Sequence, residues 1–195
     1  MNAAWRLFLA VDIPAEARAR IAEVATALKV AGWRARWANP EGTHLTLKFY
    51  GEVPVDQIGA LRARLSVRLP LQSSFQLRVQ GAGVFPNRGP ARVLWLGLAG
   101  ELNALGALQR EVEGLSRELG YPVERRPFAP HLTVARIRPE DASTLTGLDA
   151  QLKRIGNLAP IPFAVSKVTL FRSELLPSGA VYTPIAEFAL GSERQ

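Results

Sequence analysis

Apolar residues along the chain recur either at every second position or three and four apart, and the order of these two patterns predicts the elements. Leu7 to Val11 is a continuous apolar run of the buried-strand kind. Pro14 and Glu16 then sit where a helix's first turn wants them, and Ala17, Ile21, Val24 and Leu28 mark one helical face that Gly32 ends. From His44 to Phe49 the pattern alternates. It predicts a half-buried strand with Leu45, Leu47 and Phe49 on one face and His44, Thr46 and Lys48 on the other. Ile58, Leu61 and Leu65 indicate the next helix. Phe75, Leu77 and Val79 begin another strand, which the turn-rich GAGVFPNRGPAR joins to VLWLGL (93–98) as a hairpin with a long tip.

The second half repeats this order. Leu102, Leu105, Leu108, Val112, Leu115 and Leu119 mark a helix, 131–135 a strand, and Leu145, Leu148, Leu152 and Ile155 a further helix. Strands at 163–171 and 181–190 follow, joined by RSELLPSG. An offset of 87 residues takes His44 to His131 and also Trp95 to Tyr182, so the chain reads as a diverged duplication with approximate repeats 5–98 and 101–190. The expected fold is α+β. It is a single bilobal domain over 1–195, with two similar lobes of mainly antiparallel sheets flanked by helices, a pseudo-twofold relation and an active-site cleft between the lobes.

Composition narrows the function. A hydrophobic content of 48% over 195 residues supports a real core and excludes a disordered chain. Basic residues number 24 against 17 acidic, and 20 of them are Arg, which favours phosphate-bearing partners. The same excess also fits a solvated face, so it gains meaning only beside a site. The absence of Cys excludes disulfides, thiolate zinc sites and cysteine nucleophiles. No apolar run approaches membrane-spanning length, so a soluble cytoplasmic protein is expected.

The chain has only two histidines, and both precede Leu-Thr-aliphatic: THLTLKFYG at 43–51 and PHLTVAR at 130–136. Composition alone gives a His this context with a probability of roughly 0.006. Residues i and i+2 of a strand point the same way, so His44 with Thr46 and His131 with Thr133 each offer an imidazole and a hydroxyl on one face. Related by a twofold axis across a cleft, the two units would grip a tetrahedral anion such as a phosphodiester. Imidazoles titrate near neutrality, which suits paired general base and general acid roles and a bell-shaped pH profile. The threonines would hold non-bridging oxygens, and Lys48 or a nearby Arg would offset transition-state charge, with no metal required.

The paired motifs HLTL and HLTV resemble those of the 2H phosphoesterase superfamily. RLFLAVDIP, RWANPEGTHLTLKFYGEV, RVLWLGL, RPFAPHLTVAR and VYTPIAEFAL further resemble the RNA 2′,3′-cyclic phosphodiesterase family, also called 2′,5′ RNA ligase, over nearly the whole chain. That resemblance implies metal-free, ATP-free hydrolysis of RNA 2′,3′-cyclic phosphate ends to 2′-phosphomonoesters and a reversible 2′,5′ ligation. It also implies His44 as general acid, His131 as general base and Thr46 and Thr133 as phosphate ligands. No cofactor, membrane or obligatory protein partner is implied, and a monomer is expected. Arg136 matches a recurrent substrate-binding position, although strict alternation puts it on the face opposite His131. Ala129 departs from relatives that carry Arg between Phe and Pro.

Three other readings compete. A metal-dependent phosphoesterase would recruit Glu41, Glu52 or Asp56 beside the histidines. A non-enzymatic RNA-binding module would use the Arg excess with exposed Trp33, Trp37 or Tyr182. The family chemistry could also act on a small cyclic nucleotide or an NAD-derived cyclic phosphate.

Overall fold

The computed structural model describes residues 3–177 and 179–192. In chain order the elements are β1 (Ala4–Asp12), α1 (Ala15–Val30), β2 (Arg36–Trp37), β3 (His44–Pro54), α2 (Val55–Arg68), β4 (Phe75–Phe85) and β5 (Val93–Gly100). They continue with α3 (Leu102–Glu118), β6 (Leu132–Arg136), α4 (Leu148–Gly156), β7 (Ile161–Val165), β8 (Lys167–Leu176) and β9 (Gly179–Ala189). Two sheets result, ordered β3-β1-β8-β9 and β2-β6-β5-β4-β7, and every pairing within them is antiparallel.

The lobes are similar, but each draws strands from both halves of the chain. Matching β3-β1-β8 to β6-β5-β4 superposes the two histidine motifs, and in that correspondence β5 plays the part of β1. Trp95 therefore lies on a central strand and Tyr182 on an edge strand, so their shared offset does not mark equivalent places. The helices also cross over. α1 leaves β1 to pack on β6 of the other sheet, and α3 leaves β5 to pack on β3. One continuous core results, in which Leu7, Leu9, Leu45 and Leu47 of the first sheet share a cluster with Leu94, Leu96, Leu132 and Val134 of the second. Each fully buried aliphatic side chain contributes about 2 kcal/mol. A one-residue slip of any of these strands would turn its apolar set outward, which fixes the register.

The apolar positions predicted for α1, α2 and α3 are buried, apart from Leu119 and the half-exposed start of α3 at Leu102. Three expectations need correction. The single strand at 163–171 is two strands in different sheets: β7 pairs with β4 and β8 pairs with β1, with a break at Ser166. The buried residues change phase there, from Phe163 and Val165 to Val168 and Leu170. RSELLPSG is also mostly strand, since β8 runs on to Leu176 against β9; its Ser178 lies outside the described residues. The fourth helix begins only after Gly147 (φ 65°), a left-handed conformation that glycine adopts without a Cβ clash, so Leu145 precedes it.

Candidate functional site

Both histidine strands carry a β-bulge at the same place. In β3, Leu9 pairs with Lys48 and Ala10 with Thr46, which leaves Leu47 as the extra residue. In β6, Leu94 pairs with Ala135 and Trp95 with Thr133, which leaves Val134. An extra residue reverses the alternation beyond it. Lys48 therefore turns inward, 4% exposed, and its Nζ donates to Glu113 Oε1 at 2.8 Å and to the carbonyl of Pro122. Lys48 is thus not available to the phosphate, contrary to the strict-alternation expectation. Phe49 turns out to solvent instead, 61% exposed, with its ring 5.8 Å from that of Phe8. By the same geometry Arg136 is exposed on the face of Thr133, and the expected objection to its role disappears.

Each imidazole is anchored by the residue two before it. His131 Nδ1 lies 2.8 Å from the carbonyl oxygen of Ala129, and a backbone hydrogen bond links the His44 ring to Gly42. A carbonyl only accepts, so Nδ1 of His131 carries the hydrogen and its Nε2 lone pair is left free. The Ala129 departure costs nothing here, because the contact uses backbone. His131 begins just before β6 and meets the Phe85 ring edge-on at 5.1 Å. Trp95 lies in the same neighbourhood, in register with Thr133, over Gly83, where any Cβ would collide with the indole.

His44 sits in a more apolar setting. It stacks on Phe8 at 4.4 Å, meets Tyr182 edge-on at 5.1 Å and lies 5.8 Å from Phe171. Phe8, Ala10 and Phe171 form a small buried cluster of their own on this face of the first sheet. Burial in that cage lowers the His44 pKa to about 4, and the positive charge of Arg18 adds to the effect. The Gly42 hydrogen bond and Asp12 oppose it. Asp12 is the register partner of His44 and accepts from Thr169 Oγ1 at 3.0 Å. The Arg18 Nε is buried without a hydrogen-bond partner.

The two motifs are tied together by a short path. The Ala38 amide donates to the Val134 carbonyl at 2.9 Å, and from there the chain passes through a single 3₁₀ turn, Pro40–Gly42, to reach His44. Six residues span at most about 20 Å, and the turn shortens that reach. Thr46 and Thr133 are half-buried on the same faces as their histidines. The residues that sequence reasoning missed are Phe8, Phe171, Asp12, Arg18 and Phe85. Asp12 opens the DIP turn and Arg18 follows it on α1, but only the β1–β3 register sets Asp12 beside His44, and only the tertiary fold brings Arg18 near.

The acidic residues considered as metal ligands do not gather. Among the described residues no three His, Asp or Glu side chains come close enough together to hold a metal ion. Of the aromatics considered for RNA stacking, Trp33 is a core residue, 4% exposed, donating Nε1 to the Thr146 carbonyl at 3.1 Å. Trp37 is half-buried with the Lys29 ammonium 5.6 Å from its ring, and Tyr182 belongs to the His44 cage. No helix among the described residues is long and apolar enough to cross a membrane.

Comparison with known proteins agrees with the two-lobe fold. Residues 11–95 and 96–182 each match the family described as LigT like Phosphoesterase. The RNA 2′,3′-cyclic phosphodiesterase of Methanothermobacter thermautotrophicus is 34% identical over 186 residues, covering 95% of this chain and 98% of its own. The protein of the same name from Thermus thermophilus is 36% identical over 198 residues, covering 96% and 91%. The crystal structure of TT0787 of Thermus thermophilus superposes with a TM-score of 0.75 at 32% identity, covering 97% of this chain and all of that one. With a double family match, relatives above 30% identity along nearly the whole length and the duplicated two-lobe fold, the chain belongs to the LigT-like phosphoesterase family.

Proposed function

We propose that the protein opens 2′,3′-cyclic phosphate ends of RNA to 2′-phosphomonoesters, with His131 as general base and His44 as general acid. Supporting this reading is the paired construction: two imidazoles, each anchored by the residue two before it, each followed by a threonine on a bulged strand. His131 presents its free Nε2 to a water molecule and takes its proton as the oxygen attacks phosphorus. His44 gives a proton to the departing 3′ oxygen, and the P–O3′ bond breaks. Thr46 and Thr133 donate to the non-bridging oxygens, and Arg18, in place of Lys48, offsets the charge that develops.

His44 is neutral in the free protein at pH 7, given a pKa of about 4. An anionic phosphodiester beside it favours the imidazolium, as Asp12 already does more weakly, so substrate entry loads the acid. With both proton transfers supplied by side chains, the reaction needs neither metal nor ATP. Run in the same direction with an RNA 5′-hydroxyl in place of water as the nucleophile, the same groups would form P–O5′, break P–O3′ and so join the ends by 2′,5′ ligation, and the reverse would cleave that linkage. The protein is expected to work as a cytoplasmic monomer, because one chain supplies both motifs.

The test is to treat the purified protein with EDTA, supply a nucleoside 2′,3′-cyclic phosphate and identify the product by phosphorus NMR. A 2′-phosphate is expected. A 3′-phosphate would reverse the leaving group and overturn the two assignments, and a lack of turnover on both this compound and a cyclic-ended oligoribonucleotide would overturn the reading. Faster turnover of the mononucleotide than of the oligonucleotide would favour a small cyclic nucleotide as the natural substrate.

A further inference from the structure

Arg36 and Arg136 face each other directly in the β2–β6 ladder. Directly opposed residues of an antiparallel pair project to the same side with Cβ atoms about 5 Å apart, and like charges so placed destabilise the pairing. Both residues are exposed, and neither has an ion-pair partner among the described residues. The acids nearest Arg136 in sequence are already engaged, since Glu140 and Asp141 both pair with Arg138 at 3.4 and 2.8 Å, and Glu41, the acid nearest Arg36 in sequence, makes no ion pair with it. Two unneutralised guanidinium groups held side by side form a site for an anion that bridges them.

The bulge at Val134 decides where this pair points. It places Arg136 on the face of Thr133, and Arg36 follows because it is the register partner of Arg136. One row of that face therefore runs from Phe85 through Val93 and Arg136 to Arg36, parallel to the row of Gly83, Trp95 and Thr133. Arg36 lies one strand spacing, about 4.8 Å, outward from Arg136, at the rim of the sheet. The first lobe has no counterpart to it. Its matching row is Phe171, Phe8 and Phe49, and it ends at β3, the edge of that sheet.

We propose that Arg36, together with Arg136, forms a second phosphate subsite that binds a backbone phosphate of the RNA strand next to the cyclic end. The subsite gives the protein a preference for oligonucleotides over mononucleotides. The inference rests on the phosphodiesterase reading for its ligand, but its test does not depend on turnover.

The test compares wild type with Arg36→Ala and Arg36→Lys, using a fluorescein-labelled hexaribonucleotide with a terminal 2′-phosphate followed by anisotropy, and a nucleoside 2′-phosphate as competitor. Loss of one charge-assisted contact should weaken the hexamer about tenfold, and the mononucleotide no more than about twofold. The slope of log affinity against log salt should fall by about 0.7, the value for one phosphate contact on a single strand. Arg36→Lys should restore most of the slope and only part of the affinity, because an ammonium cannot bridge with two parallel bonds. Equal weakening of both ligands, or an unchanged hexamer affinity and slope in Arg36→Ala, would overturn the subsite. If the binding split appears while wild type fails to turn over any cyclic phosphate, the subsite stands and the proposed reaction falls.

Discussion

The two histidine strands are built on one plan and finished in opposite ways. Both have His and Thr two apart, an extra residue after the threonine, and a ring bond to the residue two before the histidine. Around His44 the finish is aromatic: Phe8, Phe171 and Tyr182 exclude water and hold the imidazole neutral. Around His131 it is open and cationic, with Arg136 and Arg36 on the same face. The position that is Lys48 in one strand, tied to Glu113 in the interior, is Ala135 in the other. Duplication thus supplied matched geometry, and divergence of the neighbours gave the two imidazoles different settings, as the proposed division into acid and base requires.

Replacing either histidine should have the largest consequence. His44→Ala and His131→Ala should each lower turnover by about 10² to 10⁴, the usual worth of a positioned proton donor or acceptor, with circular dichroism unchanged. Near wild-type rates in either variant would break the assignment of both strands to one reaction.

Next comes the buried ion pair that exists on one side only. Lys48→Met strands the Glu113 carboxylate in the interior and should cost about 3 kcal/mol or more in urea unfolding, with Lys48→Met/Glu113→Leu recovering most of it. Equal stability of the single variant and wild type would show that the pair is not desolvated. The Pro122 carbonyl bonded to Lys48 also ties the segment leading to His131 against β3, so the single variant should lose turnover beyond what its stability explains.

The cage around His44 has a signature in stability against pH. Its folded pKa of about 4 lies below the ordinary 6.5, so between those values the unfolded chain binds the extra proton. Stability must then fall as the pH drops from about 6.5 to about 4, by up to about 3 kcal/mol from this group. His44→Gln should remove that share when unfolding is compared at pH 7 and pH 4.5; an equal pH dependence in the two proteins would contradict the cage. In kinetics, kcat/KM should carry an ionisation near pH 4 that moves upward in kcat, where the bound anion favours imidazolium.

The smallest effects belong to the hydroxyls. Thr46→Ala and Thr133→Ala should each reduce kcat/KM by about tenfold, one charge-assisted hydrogen bond apiece. A loss as large as that of the histidines would place the threonines in the proton transfers.

Much of this was legible in the chain. The helical faces of α1, α2 and α3 followed from apolar spacing because burial enforces a 3.6-residue period. The His-x-Thr pairs followed from the two-residue period, which is local and holds over the three residues concerned. Lys48, Phe49 and Arg136 were misplaced by that same rule, because each lies beyond a bulge that is recognisable only in the pairing with β1 or β5. The break at Ser166 left a trace, the phase change between Val165 and Val168, but its meaning depends on which sheets receive the two strands.

By itself the sequence determined the duplication, the α+β order and the two imidazole-hydroxyl units, since all three rest on spacings of a few residues or on self-similarity. Only the tertiary structure decided which strands share a sheet, that helices α1 and α3 cross to the opposite lobe, that Lys48 is interior, and that Arg36 stands beside Arg136. These are contacts between residues as far apart as Arg6 and Ser173, which pair across β1 and β8. They are fixed by the joint packing of one core rather than by any local preference.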